Sequence, residues 1–158
     1  MAFDSTLQRH IMGCFATGVT VVTTRAGDEL SGLTANAVAS LSLNPPLVLV
    51  SVDRKAHSHA ILLEGRCFAM NILTTQQENL SRRFATSGPK DFSDLAWHAA
   101  VTGAPVLDGC LSFVDCRVVE IVAGGDHDIF IGEIVAGNVE LEGEPLVYYR
   151  GRYRRLAE

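Results

Sequence analysis

The chain has 158 residues, enough for a single compact domain over residues 1–158 with a core that needs neither disulfides nor metal to hold it. Its composition is 47% hydrophobic and 20% charged, slightly richer in apolar residues than usual, a surplus that points to a buried oligomer interface. A net charge of −5 and aromatics not interleaved with Lys or Arg exclude a nucleic-acid or anionic-membrane binder.

Asp4, Ser5 and Thr6 offer capping oxygens, and Leu7, Ile11, Cys14 and Phe15 recur at a helical period, so an amphipathic helix is predicted from about Ser5 to Ala16. The β-branched run Val19–Thr24 and the run Leu30–Thr34 flank the turn Ala26-Gly27-Asp28-Glu29 and form a predicted hairpin. From Gly32 to the Pro45-Pro46 pair the chain is too rich in small hydroxyl and amide side chains to make an ordinary helix. Leu47–Val52 is a near-continuous apolar strand, which implies burial on both faces, and Ser58 is placed to cap a short helix through Ile61 and Leu63. A strand over Arg66–Ile72 follows, and Thr75-Gln76-Gln77-Glu78 matches a capping box for a helix bearing Leu80 and Phe84 on one face. Gly88, Pro89, Gly103 and Pro105 punctuate a long loop from Ser87 to Pro105 with one short strand near Trp97, itself expected at a barrel rim. Two β-rich runs, Leu111–Val122 and Asp128–Val139, flank Ala123-Gly124-Gly125-Asp126, the strongest hairpin signal in the chain, and Leu146–Tyr149 is the last strand. Strands dominate without alternating with helices, so the expected class is mainly β (α+β), an antiparallel barrel with a few peripheral helices.

The longest unbroken apolar runs, such as Leu47–Val50, are too short to span a bilayer, and Met1-Ala2-Phe3-Asp4 does not begin a signal peptide. A cytoplasmic location is expected. Cys14, Cys67, Cys110 and Cys116 form no Cys-x-x-Cys pair and read as buried thiols in a reducing compartment.

Familiar catalytic motifs are missing. Gly27 to Thr34 has the glycine spacing of a phosphate-binding loop, but Leu33 stands where the lysine belongs. There is no Gly-x-Gly-x-x-Gly for a dinucleotide and no Gly-x-Ser-x-Gly for a serine nucleophile. His57-Ser58-His59 could present two imidazoles from an extended segment but has no third ligand nearby, so no metal is expected. Asp126 and Asp128 flank a histidine, as a solvated turn would.

The string Thr34–Val52, continued by Asp53-Arg54-Lys55-Ala56-His57-Ser58, resembles the flavin reductase family that supplies reduced flavin to two-component monooxygenases. The likeness continues at Phe68–Leu73, at Ser81-Arg82-Arg83-Phe84-Ala85, at Gly125–Gly132 and at Tyr148–Tyr153, and so covers nearly the whole chain. It implies a Greek-key-like split β-barrel homodimer that binds FMN, with FAD an alternative, and uses NADH or NADPH. Thr34, Ala35 and Asn36 would meet the flavin ring, with Ser40 in the same polar section. Ser51, Val52 and Asp53 would follow the ribityl chain, and Arg54, Lys55 and Ser58 the phosphate. The alternatives are a polar turn for Thr34–Asn36 and a solvated charge pair for Arg54 and Lys55.

Catalytic weight falls on Gly125-Asp126-His127. The resemblance places His127 beside the nicotinamide, with Asp126 fixing its orientation or tautomer; the alternative is a turn histidine with local hydrogen bonds. Phe84 and Ala85 match a position close to the flavin, although the helical spacing of Phe84 with Leu80 also fits core. Tyr149 and Arg150 would reach nucleotide or flavin from the partner subunit, or serve plain core and surface roles. The expected activity is NAD(P)H-dependent reduction of FMN or FAD for a flavin-dependent oxygenase partner. A non-catalytic FMN carrier and a reductase of a corrinoid or ferric substrate stay open as alternatives.

Overall fold

Two-residue turns that begin with glycine set the registers of the two longest hairpins. Gly27 at φ +57° and Gly125 at φ +70° each take the first central position, where a turn matched to strand twist requires positive φ. A computed structural model describes residues 2–140 and 142–157. Its elements in order are α1 (Ser5–Gly13), β1 (Thr17–Gly18), β2 (Thr20–Ala26), β3 (Glu29–Ala35), β4 (Val38–Leu43), β5 (Pro46–Asp53), α2 (His57–Gly65) and β6 (Cys67–Ile72). A 3₁₀ turn (Thr75–Gln77) then leads into α3 (Glu78–Phe84), followed by β7 (Trp97–Ala99), β8 (Pro105–Leu107), β9 (Ser112–Gly124), β10 (His127–Val139), β11 (Val147–Tyr149) and β12 (Arg152–Arg154).

Seven strands form an all-antiparallel sheet in the order β3-β2-β6-β9-β10-β5-β4. Hairpins supply the β2–β3, β4–β5 and β9–β10 pairs, and longer returns bring β6 between β2 and β9. Hydrogen bonding leaves the ring open, with β3 and β4 as its two edges. The class is therefore mainly β with few helices, as expected from the strand-rich pattern. Inside the curved sheet, Val22, Val50, Val52, Leu62, Phe68 and Phe130 form one core. Val19, Val21, Leu73, Phe84, Phe92 and Leu107 form a second. Asn71, fully buried, donates to the Val21 carbonyl at 3.0 Å and accepts the Leu107 amide at 2.8 Å, which pins β8 to the sheet. A buried amide this well satisfied fixes position rather than only filling space.

Several boundaries differ from the sequence reading for local physical reasons. Helix α1 stops at Gly13 rather than near Ala16, because Cys14 caps it and the chain then turns into β1; Asp4 caps its start, accepting the Thr6 amide at 2.8 Å. None of its residues is buried, and Leu7, Ile11, Met12 and Phe15 leave an apolar face uncovered by the rest of the chain. The polar section after β3 is an edge strand, β4, with an irregular register between Ser40 and Ser42. The capping box lies one residue earlier than expected: Thr74 accepts the Gln76 amide at 3.3 Å while Gln77 accepts the Thr74 amide at 3.0 Å. Ser58 lies inside α2, whose N-cap is Ala56. Cys67, Cys110 and Cys116 are buried, but Cys14 is exposed. Burial pushes the Cys110 thiol up to about 11 and the Cys116 thiol up to about 12, so neither is a nucleophile near neutral pH. No described helix is long and apolar enough to cross a membrane.

Candidate functional site

A cleft of about 310 Å³ opens between the end of β5 with the start of α2 on one wall and the segment after α3 on the other. Asp53, Lys55, Ala56, His57 and Ser58 line the first wall, Phe84, Ala85, Thr86, Gly88 and Lys90 the second, and Gly32, Leu33 and Thr34 of β3 the floor. Beyond Thr34 and Ala85 it continues into a space of about 210 Å³ lined by Val19, Asn36, Tyr148 and Tyr153. A third space, of about 500 Å³, shares Ala85, Thr86, Tyr148 and Tyr153 and adds Glu78, Arg82 and Arg152. The result is one groove, basic at the α2 end and aromatic at the β11–β12 end.

Each wall is held by specific contacts. The Thr34 hydroxyl donates to the Ser81 carbonyl at 2.5 Å, tying β3 to α3, and therefore offers a ligand only its lone pairs. Ser81 Oγ and Tyr153 OH lie 2.7 Å apart, Arg82 stacks over the Tyr153 ring at 4.8 Å, and Tyr148 meets Tyr153 edge to face at 5.3 Å. At the basic end Asp53 accepts the Lys55 amide at 2.8 Å, which shapes the turn into α2. In the first turn of that helix the His59 amide donates to the Ala56 carbonyl at 3.0 Å, and the His57 and Ser58 amides lie at the positive end of its dipole, beside Lys55.

Asp128 sits behind this end. Its carboxylate accepts from Arg54 Nη2 at 2.7 Å through one oxygen and lies 2.7 Å from His59 Nε2 through the other. The Arg54 and His59 contacts hold it below the ordinary carboxylate range. It is therefore a structural clasp between β10, β5 and α2 rather than a solvated turn residue, and it occupies Arg54. His57 lies 3.7 Å from Glu29 instead, so the two histidines point to separate partners. Their segment is helical, where residues two apart do not share a face. No group of three possible metal-ligating side chains occurs among the described residues.

The candidate residues divide by location. Thr34, Asp53, Lys55, Ser58 and Phe84 line the cleft, and Asn36 lines its continuation. Ala35 and Val52 turn their side chains into the core, and the Ala35 carbonyl accepts from Thr20 Oγ1 at 2.7 Å. Ser51 is half-buried on β5 and Ser40 is exposed on β4, both outside the groove lining. His127 and Asp126 lie at the β9–β10 turn, with His127 directly across from Asp53 in the sheet. His127 Nδ1 and Asp126 Oδ1 are 2.7 Å apart, a contact that holds the Asp126 carboxyl below its usual range and leaves Nε2 as the free ring nitrogen. Arg150 lines a further space of about 800 Å³ beside α1, which shares Asn36 and Tyr148 with the aromatic end of the groove, and stacks over Tyr149 at 5.2 Å; its amide donates to the Gly13 carbonyl at 2.8 Å. Of the other residues here, Ala85 was read beside Phe84 as near the flavin, His59 as half of a histidine pair, Asp128 as a turn carboxylate, and Tyr148 and Tyr153 only as the ends of a matching string; Lys90 was not singled out by sequence.

The profile of the family described as "Flavin reductase like domain" matches residues 12–157. The chain belongs to the flavin reductase family. A curated relative from Rhodococcus opacus, the reductase component of 4-nitrophenol 4-monooxygenase/4-nitrocatechol 2-monooxygenase, is 42% identical across 92% of this chain and 77% of its own. An FMN reductase (NADH) from Agrobacterium fabrum is 38% identical across 94% of this chain and 84% of its own. Among solved structures, the flavin reductase PheA2 superposes with a TM-score of 0.90 at 40% identity, covering 99% of this chain and 100% of its own. The Streptomyces globisporus NADH:FAD oxidoreductase SgcE6, in complex with NAD and FAD fragments, reaches a TM-score of 0.91 at 37% identity over 98% of this chain and 93% of its own.

The groove fits the ligand class of this family. One end is lined by Lys55, Lys90 and Ser58 at the start of α2, groups able to meet an anion; the other is lined by Asn36 and Thr34.

Proposed function

We propose that this chain is a single-domain, cytoplasmic NAD(P)H:flavin oxidoreductase that transfers hydride from a nicotinamide to FMN or FAD and supplies the reduced flavin to a flavin-dependent oxygenase. The observation that carries this reading is the polar-to-aromatic groove on the scaffold of the flavin reductase family. The bound flavin supplies the redox chemistry, accepting a hydride without any protein nucleophile.

What remains for the protein is binding and alignment. Lys55, Ser58 and the α2 amides hold the phosphate, Asp53 shapes the turn between them, and Thr34 and Asn36 address the ring edge. Asn36 offers both donors and acceptors, whereas the Thr34 hydroxyl accepts only. His127, oriented by Asp126, presents Nε2 to the nicotinamide and positions it for transfer. Arg54 acts indirectly, holding Asp128 and with it the start of α2.

The uncovered face of α1, from Leu7 to Phe15, supports a homodimer in which that face is buried against the second subunit. Arg150 and Tyr149 lie along the same side, next to the space lined by Met12, Cys14 and Phe15, where a partner's nucleotide or flavin would reach them. His127→Ala tests the catalytic assignment. It is expected to lower kcat/KM for NADH by about a hundredfold while the Kd for FMN changes less than about threefold. Equal losses in turnover and flavin affinity would remove His127 from the nicotinamide site.

A further inference from the structure

Two turns interlock beside the groove, one between β5 and α2 and the other between β9 and β10. The Arg54 amide of the first donates to the Asp126 carbonyl of the second at 3.1 Å. Residues paired across a sheet share a face, and successive residues of a strand alternate faces. His127 pairs with Asp53, which lines the cleft, and so stands on that side of the sheet. Asp128 pairs with the core residue Val52 and therefore turns the opposite way, under α2.

A carboxylate is an unexpected occupant of that inner face. Phe130, two residues along the strand, is fully buried there, and His59 meets its ring edge to face at 5.6 Å. An apolar side chain at position 128 would continue the stripe, whereas a shielded carboxylate is costly unless both oxygens are met. Both are met. Arg54 donates to one from Nε at 3.1 Å and from Nη2 at 2.7 Å, and His59 Nε2 lies 2.7 Å from the other. The side chains of His59 and Asp128 are only 10% and 14% exposed, so solvent does little to loosen their contact. This joint sits one residue from His127 and fixes the strand end that carries it.

Building on the assignment of His127 to the nicotinamide, we propose that Asp128 and His59 form a positioning pair that sets His127 against the flavin-bearing wall and so aligns hydride transfer. Asp128 anchors the start of β10 from the inner face while His127 presents its ring from the outer one. The extended backbone between them passes any shift of the anchor directly to the imidazole. Small misplacement lowers a transfer rate steeply while leaving most binding contacts in place.

The test is anaerobic single-turnover reduction of protein-bound FMN by NADH, with the Kd for FMN and the KM for NADH, in the wild type and four variants: Asp128→Asn, His59→Ala, His59→Gln and His127→Ala. An amide offers one acceptor oxygen to two donors, so Asp128→Asn breaks one arm whichever way it faces. It is expected to slow reduction about tenfold or more, while the Kd for FMN and the KM for NADH stay within about threefold. His59→Ala carries the same expectation, and decides the matter alone should Asp128→Asn not fold. His59→Gln keeps an N–H donor and is expected to stay within about threefold of the wild-type rate. Combining Asp128→Asn with His59→Ala is expected to slow reduction by no more than about twofold beyond the slower single variant, as for two halves of one contact. Wild-type reduction in Asp128→Asn and His59→Ala, with His127→Ala slow, overturns the positioning pair and leaves His127 at the nicotinamide. Equal losses of FMN affinity and reduction rate make the pair a structural contact only and also overturn it. A wild-type rate in His127→Ala contradicts the assignment on which the pair rests, and a wild type that reduces no flavin contradicts the reductase reading itself.

Discussion

Ala85→Trp is expected to weaken flavin binding by about a hundredfold or more while the melting temperature moves by no more than about 2 °C. Ala85 follows α3 and lines all three connected spaces of the groove, so it stands where the basic and aromatic ends meet. Its side chain is exposed, and its backbone amide caps the helix through the Ser81 and Arg82 carbonyls, a role that survives any side chain other than proline. An indole at this point fills the passage without entering the core. Exposed substitutions ordinarily change stability by less than about 0.5 kcal/mol, a small shift in melting temperature for a chain of this size. Loss of binding without loss of stability is therefore the signature of a blocked groove. Ala85→Ser, which adds one atom, is expected to stay within about threefold of the wild type, as measured by flavin fluorescence quenching. Full binding in Ala85→Trp would mean that the flavin lies elsewhere.

Gly65→Ala is expected to destabilise the protein by about 3 kcal/mol or more, lowering the melting temperature by about 10 °C. Propensity alone gives the opposite sign, since alanine is favoured over glycine in a helix by about 1 kcal/mol. The packing decides otherwise. A Cβ at Gly65 would lie 1.9 Å from the Arg25 carbonyl oxygen and 2.8 Å from its carbon, where the end of α2 rests on the backbone of β2. Backbone cannot rotate aside as a side chain can, so helix and sheet must separate. Because α2 contributes Leu62 to the main core and presents Ser58 to the cleft, the variant is also expected to lose flavin affinity. Gly18→Ala is the control: a Cβ there meets no atom within 4 Å, and thermal unfolding should be unchanged within error. A Gly65→Ala protein as stable as the wild type would show that α2 does not sit tightly on β2.

The sheet was legible in the sequence where short-range chemistry determines it. Glycine-led turns and β-branched runs marked both long hairpins, but the continuous apolar run of β5 read as buried on both faces, whereas its residues alternate between buried and half-exposed because only one face meets the core. Edge strand β4 was harder to read, because its Ala and Ser residues satisfy backbone pairing without a buried stripe. Helix α1 was recognised by its apolar period, yet that period could not say that the rest of the chain leaves its apolar face uncovered. Among the candidates, Thr34, Asn36, Asp53, Lys55, Ser58 and Phe84 line the cleft or its continuation, because each stands in a matching string. Long-range partners carried less signal. Asp128 read as a turn carboxylate because His59 and Arg54, its partners, are 69 and 74 positions away. Lys90 followed a Gly-Pro pair like any loop lysine, and only the fold puts it opposite Lys55. Conversely, Ala35 and Val52 belong to a motif string whose alternate side chains enter the core, so the motif named more residues than the groove exposes.

The most direct test of the central claim is anaerobic mixing of the purified protein with FMN and excess NADH, followed at the oxidised-flavin absorbance near ~450 nm, a band set by the cofactor's own chemistry. Catalytic bleaching of FMN at many equivalents per protein chain, reversed on admitting oxygen, is the predicted result. An absorbance that stays constant while FMN binds would contradict it, leaving a protein that holds flavin without reducing it.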